Sequence, residues 1–189
     1  MKILIIDGNN NMYRALHSYS NLQNAGKPVS IIFGMPSIVK SLITQFKPHE
    51  VYICWDGKKS KHRLDLLPTY KQGRKKLTPE QKIDIFTQKD IVMKLFDYLG
   101  VKQVFHLDME ADDWIYYLIR KFRKNNHITV VSTDKDFHQI LRKNIKLYNT
   151  VKRTLIHHKN LINHFGYTPK QSVDYLCLTG DDSDNIPGY

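Results

Sequence analysis

Residues 110–122 read Glu-Ala-Asp-Asp-Trp-Ile-Tyr-Tyr-Leu-Ile-Arg-Lys-Phe, an acidic start followed by an apolar-periodic run that predicts a helix. On a helix Glu110 and Asp113 share one face, and Asp112 projects from a neighbouring one. Negative charge suits a helix N-terminus, but three carboxylates exceed what capping needs and repel one another unless cations lie among them. The stretch therefore indicates either an acid-rich, solvated helix start or a cation site.

Three short apolar runs, at residues 2–6, 51–55 and 128–132, are typical of strands buried on both faces. They alternate with helical patterns, which predicts an α/β fold with helices flanking a mostly parallel sheet. Asp7 and Asp56 each follow such a run and precede a glycine. The carboxyl ends of parallel strands meet at one edge, where folds of this class place their sites. For Asp7 the alternative is that it forms a turn before Gly8.

Composition limits the class of protein. At 189 residues the chain suits one domain with a sizeable core, and its 41% hydrophobic and 25% charged residues are typical of soluble globular proteins. No apolar run approaches the ~20 residues that span a bilayer, and the first is too short for a secretory signal. Cys54 and Cys177 lie in apolar segments without metal-ligand spacing, so we expect core thiols of a cytoplasmic protein and no zinc site.

The formal net charge of +11 favours a polyanionic partner, with nucleic acid the first choice and an anionic membrane the second. Residues 58–76 hold eight Lys or Arg and a single acid. Little of this stretch is apolar, and Pro68 and Gly73 interrupt it, so we expect a mobile segment that stands off the core. Tyr70 beside Lys71 offers a ring for stacking next to a cation for phosphate. The alternative is a solvated loop with incidental charge.

The second half of the chain contains further predicted elements. Thr78 and Pro79 are typical of an N-cap and a first helical residue, so a helix should run to about Leu99. Its apolar stripe, expected to face the core, consists of Ile83, Phe86, Ile91, Leu95 and Leu99. The later patterns predict an edge hairpin over 145–156 and helices over 161–165 and 169–178.

Half of the 18 acidic residues fall at predicted strand ends or helix entries. So many carboxylates, with few candidate His or Cys ligands, suit Mg²⁺ or Mn²⁺. Beside a phosphate-binding segment, the chemistry that such a set favours is phosphodiester hydrolysis by two ions about 4 Å apart. For Asp134 and Asp136 the alternative is one helix cap and one exposed acid. The nine acids are Asp7, Asp56, Glu110, Asp112, Asp113, Asp134, Asp136, Asp181 and Asp184.

Six motifs follow one another along the chain. They are Asp7-Gly8; Trp55-Asp56-Gly57; Arg63 with Leu67-Pro68-Thr69-Tyr70-Lys71-Gln72-Gly73-Arg74; Glu110-Ala111-Asp112-Asp113; Ser132-Thr133-Asp134-Lys135-Asp136-Phe137; and Gly180-Asp181-Asp182-Ser183-Asp184-Asn185-Ile186-Pro187-Gly188. In this order they resemble the 5′-nuclease family, which comprises flap endonucleases, the 5′→3′ exonuclease domain of bacterial DNA polymerase I and phage 5′-exonucleases. The resemblance covers essentially the whole chain, as one catalytic domain over 1–189, in a bacterial or phage-infected cell.

The resemblance implies a PIN-like 5′-nuclease fold with a helical arch over residues 58–89, through which a free 5′ end is threaded or clamped. It also implies two metal sites, with Asp112 and Asp113 lying between them. The acids of the tighter site are Asp7, Asp56, Glu110 and Asp112. Those of the second site are Asp134, Asp136, Asp181 and Asp184.

The resemblance assigns substrate roles as well. Lys71 is expected to supply positive charge to the transition state, and with Arg74 it joins Asp7, Asp56, Asp112 and Asp134 as the catalytic set. The implied products are a 5′-phosphate and a 3′-hydroxyl, made from DNA with free 5′ ends, flaps or nicks, or from RNA–DNA hybrids. The expected nucleic-acid contacts are Lys58, Lys59, Lys61, Arg63, Tyr70, Lys71, Arg74, Lys75 and Lys76.

The C-terminal motif is expected to continue beyond this chain. In the family, a segment like residues 179–189 begins a helix-hairpin-helix that binds the duplex backbone, often with K⁺. Since the sequence ends at Tyr189, we expect either that this segment is truncated or that another polypeptide, such as a separate C-terminal part or a polymerase, binds the duplex.

Three other functions compete with this interpretation. A PIN-type metal ribonuclease shares the acid-rimmed sheet, but the long basic stretch and the ending over 180–188 argue against it. In a non-catalytic nucleic-acid-binding module the acids would merely cap helices. Nine acids at strand ends or helix entries are more than capping explains. An aspartyl-phosphate phosphatase fits least, because Asp7 is followed by Gly-Asn rather than by a second Asp two residues on.

Overall fold

A computed structural model describes residues 1–58, 60–73 and 77–189. Its strands and helices alternate through most of the chain, as the sequence predicts. In order they are β1 (Lys2–Asp7), α1 (Gly8–Ser18), β2 (Gln23–Asn24), β3 (Lys27–Pro28), α2 (Ser30–Phe46), β4 (Glu50–Cys54), α3 (Lys61–Leu66), α4 (Pro79–Tyr98), β5 (Lys102–Val104), α5 (Ala111–Phe122), β6 (His127–Val131), a 3₁₀ helix (Lys135–Ile140), β7 (Ile145–Asn149), β8 (Thr154–Ile156), α6 (Leu161–Phe165) and α7 (Ser172–Thr179).

The central sheet has the strand order β5-β4-β1-β6-β7-β8. All neighbouring pairs are parallel except β7 and β8, which form the antiparallel hairpin predicted at the edge. β1 lies in the middle, hydrogen-bonded to β4 on one side and to β6 on the other. The three apolar runs of the sequence are therefore adjacent strands, and their carboxyl ends share one edge.

Helices cover both faces of this sheet, and the side chains of β1 alternate between two apolar clusters. Ile3 and Ile5 pack into a cluster with residues of α5 and α6. Leu4 and Ile6 pack into the other cluster, with residues of α1, α2 and α4. A strand buried on both faces needs no polar alternation, which explains the continuous apolar run at residues 2–6.

Helix α4 begins as predicted but turns a different face to the core. Thr78 caps it through a reciprocal pair of hydrogen bonds with Gln81. The predicted stripe is wrong, because Ile83 and Phe86 are about two-thirds exposed. Gln88 is buried instead, since its Oε1 accepts a hydrogen bond from the backbone N–H of Ile31 at 2.9 Å. The residues that α4 buries are Ile85, Gln88, Val92 and Phe96.

The two cysteines differ in environment. Cys54 is buried at the end of β4, as expected. Cys177 is exposed on α7, so its assignment as a core thiol is wrong. Among the residues that the structure describes, no helix is both long and apolar enough to cross a membrane.

Candidate active site

A small acidic cleft lies at the carboxyl edge of the sheet. Asp7 ends β1, and Asp56 and Asp134 lie just beyond β4 and β6, so strand order alone brings these carboxylates together. Asp112 enters from the first turn of α5. The cleft has a volume of about 180 Å³ and is lined by Asp7, Asn9, Asn10, Tyr13, Asp56, Lys71, Asp112, Asp134 and Asp184.

The glycine after each strand-ending aspartate is required by close packing. A Cβ on Gly8 would lie 2.7 Å from the carbonyl oxygen of Cys54 and 2.6 Å from the ring of Trp55. A Cβ on Gly57 would lie 2.1 Å from the carbonyl oxygen of His106. The two Asp-Gly pairs are therefore more than turn formers, because the glycines let neighbouring backbone close around the carboxylates.

Asp7 is held rigidly and almost completely buried, with 6% of its surface exposed. Its carboxylate caps α1 by accepting from the N–H of Asn10 at 3.0 Å, and it also accepts from Ser132 Oγ at 2.9 Å. Burial, with a further contribution from the Asp56 carboxylate, raises the pKa of Asp7 to about 7. The site thus concentrates negative charge that the protein alone compensates poorly.

The carboxylates around Asp7 share this property. Burial and the charge of Asp134 raise the pKa of Asp112 to about 6. Burial and the charge of Asp136 raise the pKa of Asp134 to about 6. Asp134 also caps the 3₁₀ helix by accepting from the N–H of Asp136 at 2.8 Å. Asp134 is therefore both a helix cap and a residue of the cleft. Asp56 Oδ1 accepts from the N–H of Ala111 at 2.7 Å.

Replacing Asp112 with Asn should stabilise the metal-free protein. At about pH 8 the folded chain holds this carboxylate charged in a partly buried site, whereas the unfolded chain solvates it. We expect the Tm in EDTA to rise by about 2–6 °C, corresponding to ~1–2 kcal/mol. The gain should shrink as pH falls through about 6, where the folded wild-type carboxyl takes up its proton.

Calorimetry of the metal-free protein measures this effect, with Asp174→Asn on exposed α7 as the control. A Tm at about pH 8 that stays the same or falls in Asp112→Asn would contradict the electrostatic description of the cleft.

Glu110 is buried behind the cleft and neutralised by cations. Lys71 Nζ lies 2.6 Å from its carboxylate and Arg63 Nη1 lies 2.9 Å away, while the Tyr70 hydroxyl donates to it at 3.2 Å. Burial alone would raise the pKa of Glu110, but the hydrogen bond and charge of Lys71, together with the Ser60 N–H and the charge of Arg63, outweigh burial and lower it. Glu110 does not line the cleft, so its assignment to the tighter metal site stays a prediction.

The remaining acids surround the cleft. Asp113 caps the start of α5 through the N–H of Glu110 and pairs with Arg63 at 3.1 Å. Asp136 shares a neighbouring groove with Asp112, Asp113 and Arg63. Asp181 lines a third depression with Asp134, and Asp184 reaches the central cleft itself. The predicted division of these acids between two metal sites is compatible with this grouping and stays a prediction.

The central part of the basic stretch contacts the acids, through Arg63 and Lys71. The prediction that this part stands off the core is therefore wrong. Lys71 N donates to the carbonyl of Asp184 at 2.9 Å, which ties the stretch to the C-terminal motif. Tyr70 is 6% exposed, so here its ring is buried and not presented to a base. Lys58 and Lys61 are exposed. The predicted contacts Lys59, Arg74, Lys75 and Lys76 lie outside the described residues.

The acids share one cleft whose chemistry suits a hard divalent cation, but their carboxylates lie too far apart in this structure to hold an ion. Its donors are carboxylate oxygens, and the raised pKa values of Asp7, Asp112 and Asp134 indicate uncompensated charge. Within residues 1–58, 60–73 and 77–189, no three His, Cys, Asp or Glu side chains stand close enough together to hold an ion. Mutual repulsion between ionised carboxylates opposes such convergence.

Comparison with known proteins identifies the family. A profile described as "5′-3′ exonuclease, N-terminal resolvase-like domain" matches residues 2–166. The chain belongs to this 5′-3′ exonuclease family. The family resemblance that the six motifs indicate is therefore confirmed.

Two curated relatives show how much of a family protein this chain represents. It is 30% identical over 189 residues to a 5′-3′ exonuclease of Buchnera aphidicola subsp. Schizaphis graminum, covering 98% of this chain and 64% of that protein. It is 32% identical over 190 residues to a thermostable DNA polymerase I of Thermus filiformis, covering 99% of this chain and 22% of that protein. The chain thus spans less than two-thirds of these relatives.

Solved structures show that the fold is that of the exonuclease family. The T5 5′-exonuclease with bound zinc superposes with a TM-score of 0.83 at 24% identity, covering all of this chain and 70% of that one. A bacteriophage T5 flap endonuclease in a pseudo-enzyme-product complex with DNA and metal ions gives 0.82 at 24% identity, with the same coverage. The predicted α/β fold, with a mostly parallel sheet flanked by helices, is confirmed.

Several residues that build the cleft were given no role in the sequence analysis. Asn10 Nδ2 donates to Thr133 Oγ1 at 2.7 Å, and Ser132 Oγ joins Asp7 to the N–H of Asp134. Lys89 Nζ lies 3.4 Å from the Asp56 carbonyl and 5.0 Å from the centre of the Trp55 ring. The run of three asparagines after Gly8 was a usable signal. Nothing local to Lys89 in the sequence points to the cleft.

Proposed function

We propose that this chain is the catalytic domain of a structure-specific 5′ nuclease, a 5′→3′ exonuclease or flap endonuclease that hydrolyses phosphodiester bonds near the 5′ end of DNA. The observation that carries the proposal is the convergence of Asp7, Asp56, Asp112, Asp134 and Asp184 with Lys71 in one cleft. The carboxylates alone would repel a phosphodiester, but divalent ions held by them, together with Lys71, would stabilise the negative charge that increases in the transition state.

Two Mg²⁺ or Mn²⁺ ions are the proposed cofactors, and they would supply an activated water and neutralise developing charge. The residues proposed to hold them are the nine acids named above. The carboxylates of Asp7, Asp56 and Asp134 are fixed by backbone and hydroxyl hydrogen bonds, so their positions do not depend on the ligand. Support also comes from the T5 structures, of which one contains divalent zinc ions and another contains metal ions together with DNA.

DNA with a free 5′ end, a flap or a nick is the proposed substrate. The names of similar proteins support this, since the Buchnera relative is a 5′-3′ exonuclease and the T5 flap endonuclease was solved in complex with DNA. Residues 58–89 are proposed to form the arch that clamps the 5′ end, because α3 and the residues after it already contact the acids. Residues 179–189 are proposed to begin the segment that binds the duplex.

The test is cleavage of 5′-labelled flap, nicked and single-stranded DNA, with Mg²⁺ and with excess EDTA. We expect cleavage near the 5′ end only with the metal, leaving a 5′-phosphate. The same oligonucleotides made of RNA distinguish the ribonuclease alternative, which would cut them in preference to DNA. Absence of metal-dependent cleavage on every substrate would refute the proposal.

A further inference from the structure

A second polar cavity, of about 330 Å³, lies between α1, α2 and the β7–β8 hairpin. Arg14 enters it from α1, and Arg153 enters it from the hairpin turn. Ser37 and Ser41 of α2 add hydroxyl groups, and Thr150 adds another from the hairpin. None of the described residues that line this cavity is acidic, in contrast to the neighbouring acidic cleft.

The two arginines lack an acidic partner within residues 1–58, 60–73 and 77–189. Arg14 is half-buried and Arg153 is exposed. Guanidinium groups recognise phosphate oxygens through paired, planar N–H donors. Two of them at one hydroxyl-lined cavity indicate an anionic ligand.

The hairpin turn that carries Arg153 is well defined. Asn149 Oδ1 accepts from the N–H groups of Val151 and Lys152, at 3.0 and 2.9 Å. Arg153 has a φ of +53°, which is uncommon for a residue with a side chain. The turn therefore positions Arg153 through its own hydrogen bonds.

Hydrogen bonds fix the position of the cavity relative to the acidic cleft. Thr150 Oγ1 donates to Asn11 Oδ1 at 3.2 Å, and Asn11 Nδ2 donates to the Asp7 carbonyl at 2.8 Å. Arg14 follows Asp7 by seven residues on α1, about 10 Å along the helix axis. β7 is parallel to β6, so the turn after it lies at the same sheet edge as the acidic cleft.

We propose that this cavity is a second phosphate-binding site, which holds a backbone phosphate of the nucleic-acid strand away from the bond that is cut. The inference rests on the proposed function, because it takes the strand to be the one that enters the acidic cleft. A free phosphate or mononucleotide shares the same chemistry. The strand is favoured because the cavity and the cleft share one edge of a protein with net charge +11.

The test compares flap-DNA binding by the wild type and by the double variant Arg14→Ala/Arg153→Ala. Fluorescence anisotropy in EDTA, over roughly 50–200 mM salt, gives the dependence of log affinity on log salt. Removing two phosphate contacts should reduce that slope by about 1.8 and weaken binding ~10-fold or more at low salt. Arg123→Ala, at the end of α5 on the opposite face of the sheet, should change the slope little.

The outcomes separate the inference from the proposed function. A double variant that keeps the wild-type slope overturns the inference even if the wild type cleaves DNA, whereas a wild type that neither binds nor cleaves DNA overturns the proposed function. Orthophosphate or a mononucleotide that binds the wild type but not the variant, with the DNA slope unchanged, would overturn the choice of a strand. Arg14→Lys/Arg153→Lys should recover most of the slope, which separates lost charge from misfolding.

Discussion

Asp134→Asn is expected to lower the rate of DNA cleavage by at least about 10³-fold while leaving flap-DNA binding intact. Asn can still accept the 2.8 Å hydrogen bond from the N–H of Asp136 through its side-chain oxygen, so the local fold is retained. The charge that would hold a divalent ion is lost, and such ions contribute several kcal/mol of charge stabilisation, each 1.36 kcal/mol being about tenfold in rate.

Binding should stay equal or become tighter, because one negative charge facing the phosphates is removed. Single-turnover cleavage with Mg²⁺ and anisotropy in EDTA measure the two effects separately. Asp7→Asn is expected to behave in the same way, and Asp174→Asn serves as a control outside the cleft. Wild-type cleavage by Asp134→Asn would show that this carboxylate holds no catalytic ion.

Lys71→Ala is expected to slow cleavage by about 10²–10³-fold, a loss typical of removing one charge-stabilising donor at a reacting centre. Lys71 lines the acidic cleft, and its Nζ lies 2.6 Å from Glu110 and 3.9 Å from Asp184. A phosphate in the cleft would therefore meet this ammonium. Binding should weaken far less, since the charge is one among 29 Lys and Arg residues.

The role of Lys71 is decided by comparing the loss of cleavage rate with the loss of DNA affinity in Lys71→Ala. Equal losses in both would make Lys71 an anchor for phosphate and not a stabiliser of the transition state. Because Lys71→Ala also leaves Glu110 with less counter-charge, Lys71→Ala/Glu110→Gln is compared with it, and Glu110→Gln alone measures the effect of losing this proposed ligand. If the double variant regains the wild-type rate, the defect of the single variant comes from Glu110 and the catalytic assignment is wrong.

Sequence patterns predicted the sheet well because strands buried on both faces appear as uninterrupted apolar runs. β1, β4 and β6 were all identified in this way, and the edge hairpin followed from its alternation. The buried face of α4 was predicted wrongly because the helix carries two apolar stripes, and the one that is buried, with Ile85, Val92 and Phe96, is interrupted by the polar Gln88, which bonds the N–H of Ile31. The hydrophobic pattern does not show that Gln88 is buried, because its partner is a backbone N–H at the start of α2, far away in the sequence.

The acidic part of the candidate site was predictable because strand ends in a parallel sheet converge by geometry. The sequence could not predict which acids pair with the basic side chains. Glu110 appears equivalent to its neighbours in sequence, yet it is buried against Arg63 and Lys71. Tyr70 and Lys71 were expected in a mobile segment, but both hydrogen-bond to the buried carboxylate of Glu110.

The central position of β1 has a consequence for how the molecule opens. Backbone amides hydrogen-bonded on both sides and covered by two apolar clusters are released only when most of the domain unfolds. In deuterated buffer, Ile3 to Ile6 should therefore be among the slowest positions to exchange, whereas exposed parts of residues 60–73 exchange early. Residues 60–73 would then open locally while the carboxylate of Asp7 at the end of β1 keeps its place.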